Sequence, residues 1–240
     1  YYAMRKISEK FFRRYIVNGA IIFIFAILFS LTYIGGVSAV FSSNEYSPYY
    51  YGNREKNNVS VMINVYMGTE YIDSILNTLN EYNAKATFFV GGCWVVKNSE
   101  VVQKIIDNGH EIGNHGYFHK DHKMLSLEKN KSEMELTHKV VKELFDYDIK
   151  LFAPPSGSFG QNTLKVAQSM GYKTIMWTKD TIDWRDQDEN VLYQRAINKP
   201  KGGDLILMHP TLSTSKILGK VLAFYQKEGY NLTTVYENIL

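Results

Sequence analysis

From Val59 onward, short apolar runs alternate with stretches whose apolar residues recur every three or four positions. "VSVMINVY" has the composition of a strand buried on both faces. "EYIDSILNTLNEY" places Ile72, Ile75, Leu76 and Leu79 at helical spacing. "KATFFVGG" is the next expected strand and "SEVVQKIIDNG" the next helix, closed by Gly109. "HEIGNH" follows as a short strand, then a long helix over "SLEKNKSEMELTHKVVKELFDY" with Ser126 as its N-cap. Strands over "IKLFAPP", "YKTIMW" and "GDLILMH" alternate with helices over "NTLKVAQSMG", "DENVLYQRAI" and "TSKILGKVLAFYQKEG". "NLTTVYENIL" reads as a last strand and a short turn. Alternation of this kind predicts an α/β fold with a parallel sheet and helical crossovers, either an open doubly wound sheet or a closed (β/α) barrel. In both, ligands collect at the carboxyl ends of the strands. His115, the "PPSG" turn, Asp183 and His209 all fall just past an expected strand end.

The N-terminal region has a different pattern. Residues 15–44 contain no charged side chain and are apolar nearly throughout, and about 20 such residues suffice to cross a bilayer core. Arg5, Lys6, Lys10, Arg13 and Arg14 precede them, against a single Glu9. Positive charge before an apolar span keeps that end in the cytoplasm and puts the residues beyond the span outside. The expected organisation is a cytoplasmic basic segment over 1–14, a transmembrane helix over 15–41, a polar Tyr-rich linker over 42–58 and a folded domain over 59–240. The alternative is a cleaved signal peptide, with "VSA" at 37–39 as the cleavage site and secretion after Ala39.

Charge narrows the function classes. The chain carries a formal +3; residues 1–14 hold +4, which leaves −1 for the remainder. A nucleic-acid partner calls for a basic footprint that the exported part does not have. Cys93 is the only cysteine, so no intrachain disulfide is possible and stability rests on the core.

Six histidines are spread over the chain, and three of them fall within "GNHGYFHKDH". His115 and His119 are four apart, a spacing that lets two neutral imidazoles converge on one divalent ion; two surface histidines in a polar loop is the competing reading. Asp121 and His122 lie near enough to substitute as ligands, and otherwise read as solvated loop residues. His209 ends an apolar run, where general acid or base work is well served; a satisfied core histidine is the competing reading. Asp183 has two readings as well, a carboxylate holding that histidine or a helix N-terminal cap. "APPSGSFG" combines two prolines that fix the backbone with glycines that free it, a loop suited to aiming backbone N–H groups at an oxyanion. The strand-turn-helix elbow G-x-S-x-G is absent, which argues against serine catalysis.

The ordered landmarks "GHEIGNHGYFH", "FAPPSGSF", "DTIDW" and "LILMH", with "KATFFVGG" before them, resemble the polysaccharide deacetylases, the NodB-homology family of carbohydrate esterases. The resemblance covers residues 59–235. It implies a distorted (β/α) barrel of about seven strands. It also implies metal-dependent hydrolysis of N-acetyl groups on a glycan such as peptidoglycan; the N-terminal span sets the expected location, a bacterial cell membrane with the domain outside. On this resemblance His115 and His119 are metal ligands, zinc being the expected ion, and His209 is the acid that protonates the leaving amine. Asp183 pairs with His209, and Trp184 walls the site. Pro155 and Ser156 present a backbone donor to the tetrahedral oxyanion, and Leu207 lines the pocket for the acetyl methyl. "INVYMGTEYI" further resembles the sporulation-associated branch of the family.

Two departures stand against this. The family's first motif, Thr-Phe-Asp-Asp-Gly, supplies the general base and the third metal ligand. Aligned on Gly68, its aspartates become Tyr66 and Met67, and a slipped alignment puts Asn64 at the ligand position. None of the three is a carboxylate. The family's Arg-Pro-Pro-Tyr-Gly has become Ala153-Pro154-Pro155-Ser156-Gly157, without the arginine that steadies the catalytic aspartate. The two losses are coherent, because an arginine buried without its carboxylate costs several kcal/mol. The sequence therefore describes either a deacetylase with an unusual ligand set or a relative that binds glycan or a partner protein without turnover.

Overall fold

The computed structural model describes residues 15–27, 29–30 and 46–240. The chain divides into two compact units, 1–45 and 46–240. In the first, residues 15–27 and 29–30 are helical and residues 15–27 are exposed. Among the described residues no helix is long and apolar enough to cross a membrane. The basic segment 1–14, the rest of the expected 15–41 span and the cleavage site at 37–39 lie outside the described residues.

The second unit is an α/β half-barrel of seven parallel strands. These are β1 (Asn58–Val65), β2 (Ala86–Val90), β3 (Glu111–Asn114), β4 (Leu151–Phe152), β5 (Lys173–Thr174), β6 (Lys179–Asp180) and β7 (Asp204–Met208). They are ordered β5-β4-β3-β2-β1-β7-β6, and β8 (Asn231–Leu232) pairs with the start of β1. The helices are α1 (Ile72–Glu81), α2 (Gly92–Lys97), α3 (Ser99–Asp107), α4 (Leu127–Phe145), α5 (Gln161–Ser169), α6 (Glu189–Ile197), α7 (Leu212–Lys227) and α8 (Val235–Ile239).

β1 shows why a near-continuous apolar run is a central parallel strand. Val59, Val61, Ile63 and Val65 join the core cluster that also holds Ile72, Ile75, Leu76 and Leu79 of α1. On the opposite face, Met62 joins a second cluster with Phe89, Leu151, Ala153, Ile175, Leu205, Leu207 and Val235. That second cluster fills the inside of the curled sheet. Ser126 caps α4 as expected, its hydroxyl accepting from the Lys129 N–H at 3.3 Å.

Three local readings are corrected. α2 and β6 were not expected, since six and two residues are too few to show a period. The C-terminal decapeptide is a two-residue strand followed by α8, whose N-cap Thr234 hydroxyl accepts from the Glu237 N–H. The folded unit begins at Tyr46 rather than Val59, so much of the segment expected as linker is part of it. Tyr49 bonds both neighbours of Ile175, accepting from Met176 N–H and donating to Thr174 O, each at 2.8 Å. Gly52 N–H donates to Gly203 O and Asn53 N–H to Asn238 O, both at 2.7 Å. This strap lies along the edge strand β5 and the start of β7, and glycine permits it. A Cβ on Gly203, at φ +79°, would sit 2.7 Å from the Gly52 carbonyl oxygen; one on Gly52 would collide with Asn238 Oδ1.

Candidate active site

All strands run the same way, so β1, β3, β4 and β7 deliver their C-terminal residues to one end of the half-barrel. His115 is the first residue beyond β3, and its main chain is fixed by donation to Val90 O at 3.0 Å. Its Nδ1 lies 2.8 Å from the carbonyl oxygen of Ala153. A carbonyl can only accept, so Nδ1 carries the proton and Nε2 keeps its lone pair. Burial, then the neighbouring His119, lowers the His115 pKa to about 3. Left-handed backbone at Gly116 (φ +71°) and His119 (φ +54°) folds the loop back. The two imidazole centroids are 5.1 Å apart, edge to face. Burial lowers the His119 pKa too.

His209 follows β7 and faces the same cleft; a charge on it acts on both other imidazoles. Asp183 holds it twice. Oδ1 is 2.8 Å from His209 Nδ1, and Oδ2 accepts from the His209 backbone N–H at 2.7 Å. The Thr214 hydroxyl also donates to Oδ2. The Asp183 side chain has no exposed surface, so the ring is fixed with Nδ1 on the carboxylate and Nε2 left for the cleft. Asp183 is thus not a helix cap; that role falls to Asp188. Leu207 is buried in the inner cluster under the mouth.

Around Pro155 the turn hydrogen bonds are made by Gly157 and Ser158, donating to Pro154 O and Pro155 O. The Ser156 N–H, on a left-handed residue (φ 54°), takes no part in them. Trp184, expected as a wall, is 62% exposed and has the Arg185 guanidinium 5.9 Å from its ring.

The end of β1 is different in kind. Tyr66 stacks on His119, centroids 3.8 Å apart at 25°. Met67 is 64% exposed. Asn64 is buried, and its Oδ1 finds no hydrogen-bond partner. Ala153 is fully buried in the inner cluster. Among the described residues no group of three or more His, Cys, Asp or Glu side chains could hold a metal. The donor set is two imidazoles and one neutral amide, with no carboxylate, thiolate or third imidazole to complete the three ligands that a catalytic zinc ordinarily takes. It does not fit a resident divalent ion as the family holds it.

The nearby alternatives do not fill the gap. His122, expected in a solvated loop, is fully buried: its Nδ1 lies 2.7 Å from Asn130 Oδ1 and its ring packs on Phe152. The apolar contact comes from Phe152 of β4, far along the sequence, so no local pattern announces it; Asn130 of α4 is only eight residues on. Asp121 is spent on the Ser158 hydroxyl and the Lys123 N–H. Sequence reasoning also missed Thr214. It sits three residues after the α7 N-cap Thr211, which accepts from its N–H, and Thr-x-x-Thr reads as ordinary capping.

The strand ends of this parallel half-barrel thus bring together two histidines and a carboxylate-held histidine. The polysaccharide deacetylase family model matches residues 52–175, and the chain belongs to that family. It is 32% identical over 70% of its length to a peptidoglycan-N-acetylglucosamine deacetylase of Bacillus cereus, covering 81% of that protein. It is 40% identical over 79% of its length to Bacillus subtilis YlxY, described as uncharacterized, and spans 60% of that relative. A solved structure of a Bacillus anthracis protein, BA3943, described as a CE4 family pseudoenzyme, superposes with a TM-score of 0.79. The two are 37% identical, over 82% of this chain and 70% of that one. A BA3943 mutant described as having restored enzymatic activity also superposes at 0.79, with 35% identity.

Proposed function

We propose that this protein is a polysaccharide deacetylase-like protein of impaired catalysis that binds N-acetylated cell-wall glycan, peptidoglycan in particular, on the outer side of a bacterial membrane. The apolar 15–41 segment is its tether. The observation that carries the reading is the end of β1, where Tyr66 and Met67 stand in place of two carboxylates and Tyr66 lies against His119. No residue there takes a proton from water at neutral pH. What supports an acid role for His209 is that Asp183 Oδ1 lies 2.8 Å from its Nδ1, which leaves Nε2 to give a proton to a leaving amine. The Ser156 N–H and the Leu207 side chain remain as an oxyanion donor and a floor for an acetyl methyl. A site that keeps its binding elements and lacks its base binds without turning over. The likeness to a CE4 pseudoenzyme supports this reading. The complete acid side favours a second one, slow hydrolysis through a base other than a carboxylate of β1.

The test is to titrate residues 46–240 with N-acetylated peptidoglycan fragments by calorimetry and to assay acetate release in the same zinc-supplemented buffer. Saturable binding with no acetate above the buffer rate is expected. Robust acetate release that His209→Ala abolishes would contradict the proposal and favour the second reading.

A further inference from the structure

Opposite the cleft, at the starts of the strands, lies a patch that the glycan site does not use. Tyr49, Tyr50 and Tyr51 of the strap are 37%, 46% and 53% exposed. Lys173, the first residue of β5, holds its ammonium 5.1 Å from the Tyr49 ring centroid. The Arg54 guanidinium lies 4.5 Å from the Tyr51 centroid, and Lys150, just before β4, lies 5.0 Å from that of Tyr236. Tyr236 belongs to α8, which closes this end of the half-barrel: its N–H donates to Glu111, the first residue of β3. Arg54 is tied to Asp204, the first residue of β7, at 2.9 Å. The acids nearby are Glu55, Glu237 and Asp148, exposed, Glu111, half-buried, and Asp204, which is paired with Arg54; the cations left without an acidic partner are Lys56, Lys150 and Lys173. β1 spans eight residues, so the two ends of that strand are about 25 Å apart.

We infer that this tyrosine and lysine face rests on the anionic headgroups of the membrane, which turns the cleft outward toward the wall. Tyrosines beside lysines and arginines are the side chains that settle at headgroup level. Chain length favours a bilayer as the occupant. The uncharged apolar run reaches Phe41, and only residues 42–45 separate it from the folded unit at Tyr46. Four or five residues span at most about 18 Å. The inference rests on the tethered reading above, and its test separates the two.

The full chain and residues 46–240, which contain every member of both core clusters, are floated with vesicles at low ionic strength. One set is phosphatidylcholine alone and the other contains phosphatidylglycerol. The full chain is expected to float with both, and residues 46–240 with the phosphatidylglycerol vesicles only. Neutralising two cations by Lys150→Gln and Lys173→Gln should weaken that binding about 30-fold, at about fivefold per cation, with an unchanged melting temperature. If residues 46–240 ignore phosphatidylglycerol vesicles while the full chain floats with both, the tether stands and the inference is wrong. Binding that survives both substitutions, or that millimolar inorganic phosphate abolishes, overturns it as well. A full chain that floats with neither set removes the tether itself.

Discussion

The two sides of the cleft have kept different amounts of chemistry. On the β7 side, Asp183 accepts from the His209 ring, the His209 backbone and the Thr214 hydroxyl. On the β1 side stand a tyrosine stacked on a histidine, an exposed methionine and an asparagine with an unpartnered oxygen. The difference reflects what each group does for stability. Asp183 closes β7 against the start of α7, so replacing it strands three donors. The first-motif carboxylates would stand at an open strand end, where a tyrosine can take one place without loss of packing. A residue that also holds the fold together outlasts one that serves only chemistry.

The largest effect expected is on activity. Tyr66→Asp, Met67→Asp and Ala153→Arg together should raise acetate release by about 10²–10⁴-fold, the range a general base supplies. Tyr66→Asp with Met67→Asp alone should give less, because the arginine and its carboxylate act as one unit. Ala153→Arg alone should give no activity and lower stability, since it buries an unpaired charge in the inner cluster. A steady-state acetate assay with urea melts of the same variants checks all three. Equal activity with and without the arginine would show that the two sides of the motif are independent.

Next in size is the retained side. Asp183→Ala should cost about 2–4 kcal/mol of stability, by removing the acceptor of donors that remain buried. Tyr66→Ala should cost well under that, and urea unfolding of both ranks them. A Tyr66 cost equal to the Asp183 cost would erase the contrast drawn between the two sides. At the strap, Gly203→Ala should cost about 1–3 kcal/mol, since φ +79° is strained for alanine and its Cβ meets the Gly52 oxygen.

A pH dependence is expected away from the cleft. Burial, then Lys85, lowers the His110 pKa to about 4, and its Nε2 has no partner. The folded pKa lies below the unfolded value, so the unfolded state binds the extra proton. The contribution is full above pH 6.5 and is lost as pH falls from 6.5 toward 4. His110→Asn should reduce the slope of stability against pH in that window, leaving the part due to His115, His119 and His122, and leave the shape of the curve above about pH 7 unchanged.

Long periodic elements were legible in the sequence: β1, α1, α4 and α7 have enough residues to show their period. His115, Asp183 and His209 stood out because each falls just past an expected strand end, and His119 by its spacing from His115. The rest depends on distant partners. That Tyr46–Asn57 packs along the sheet is due to Gly203 and Asn238, far along the chain, while its own composition is that of a linker. His122 is buried by Phe152 and Asn130, and Tyr66 meets His119 only because β1 and β3 deliver both to one end. Spacing reveals which side chains are available there, and the fold decides which of them meet.

The most direct measurement is zinc content. Residues 46–240 are equilibrated with zinc, desalted and analysed by elemental mass spectrometry, alongside Tyr66→Asp/Met67→Asp and His115→Ala. The expected result is far less than one zinc per unmodified chain, rising toward one in the double variant. One tightly held zinc in the unmodified domain, lost in His115→Ala, would contradict the claim that the β1 side no longer completes the metal site.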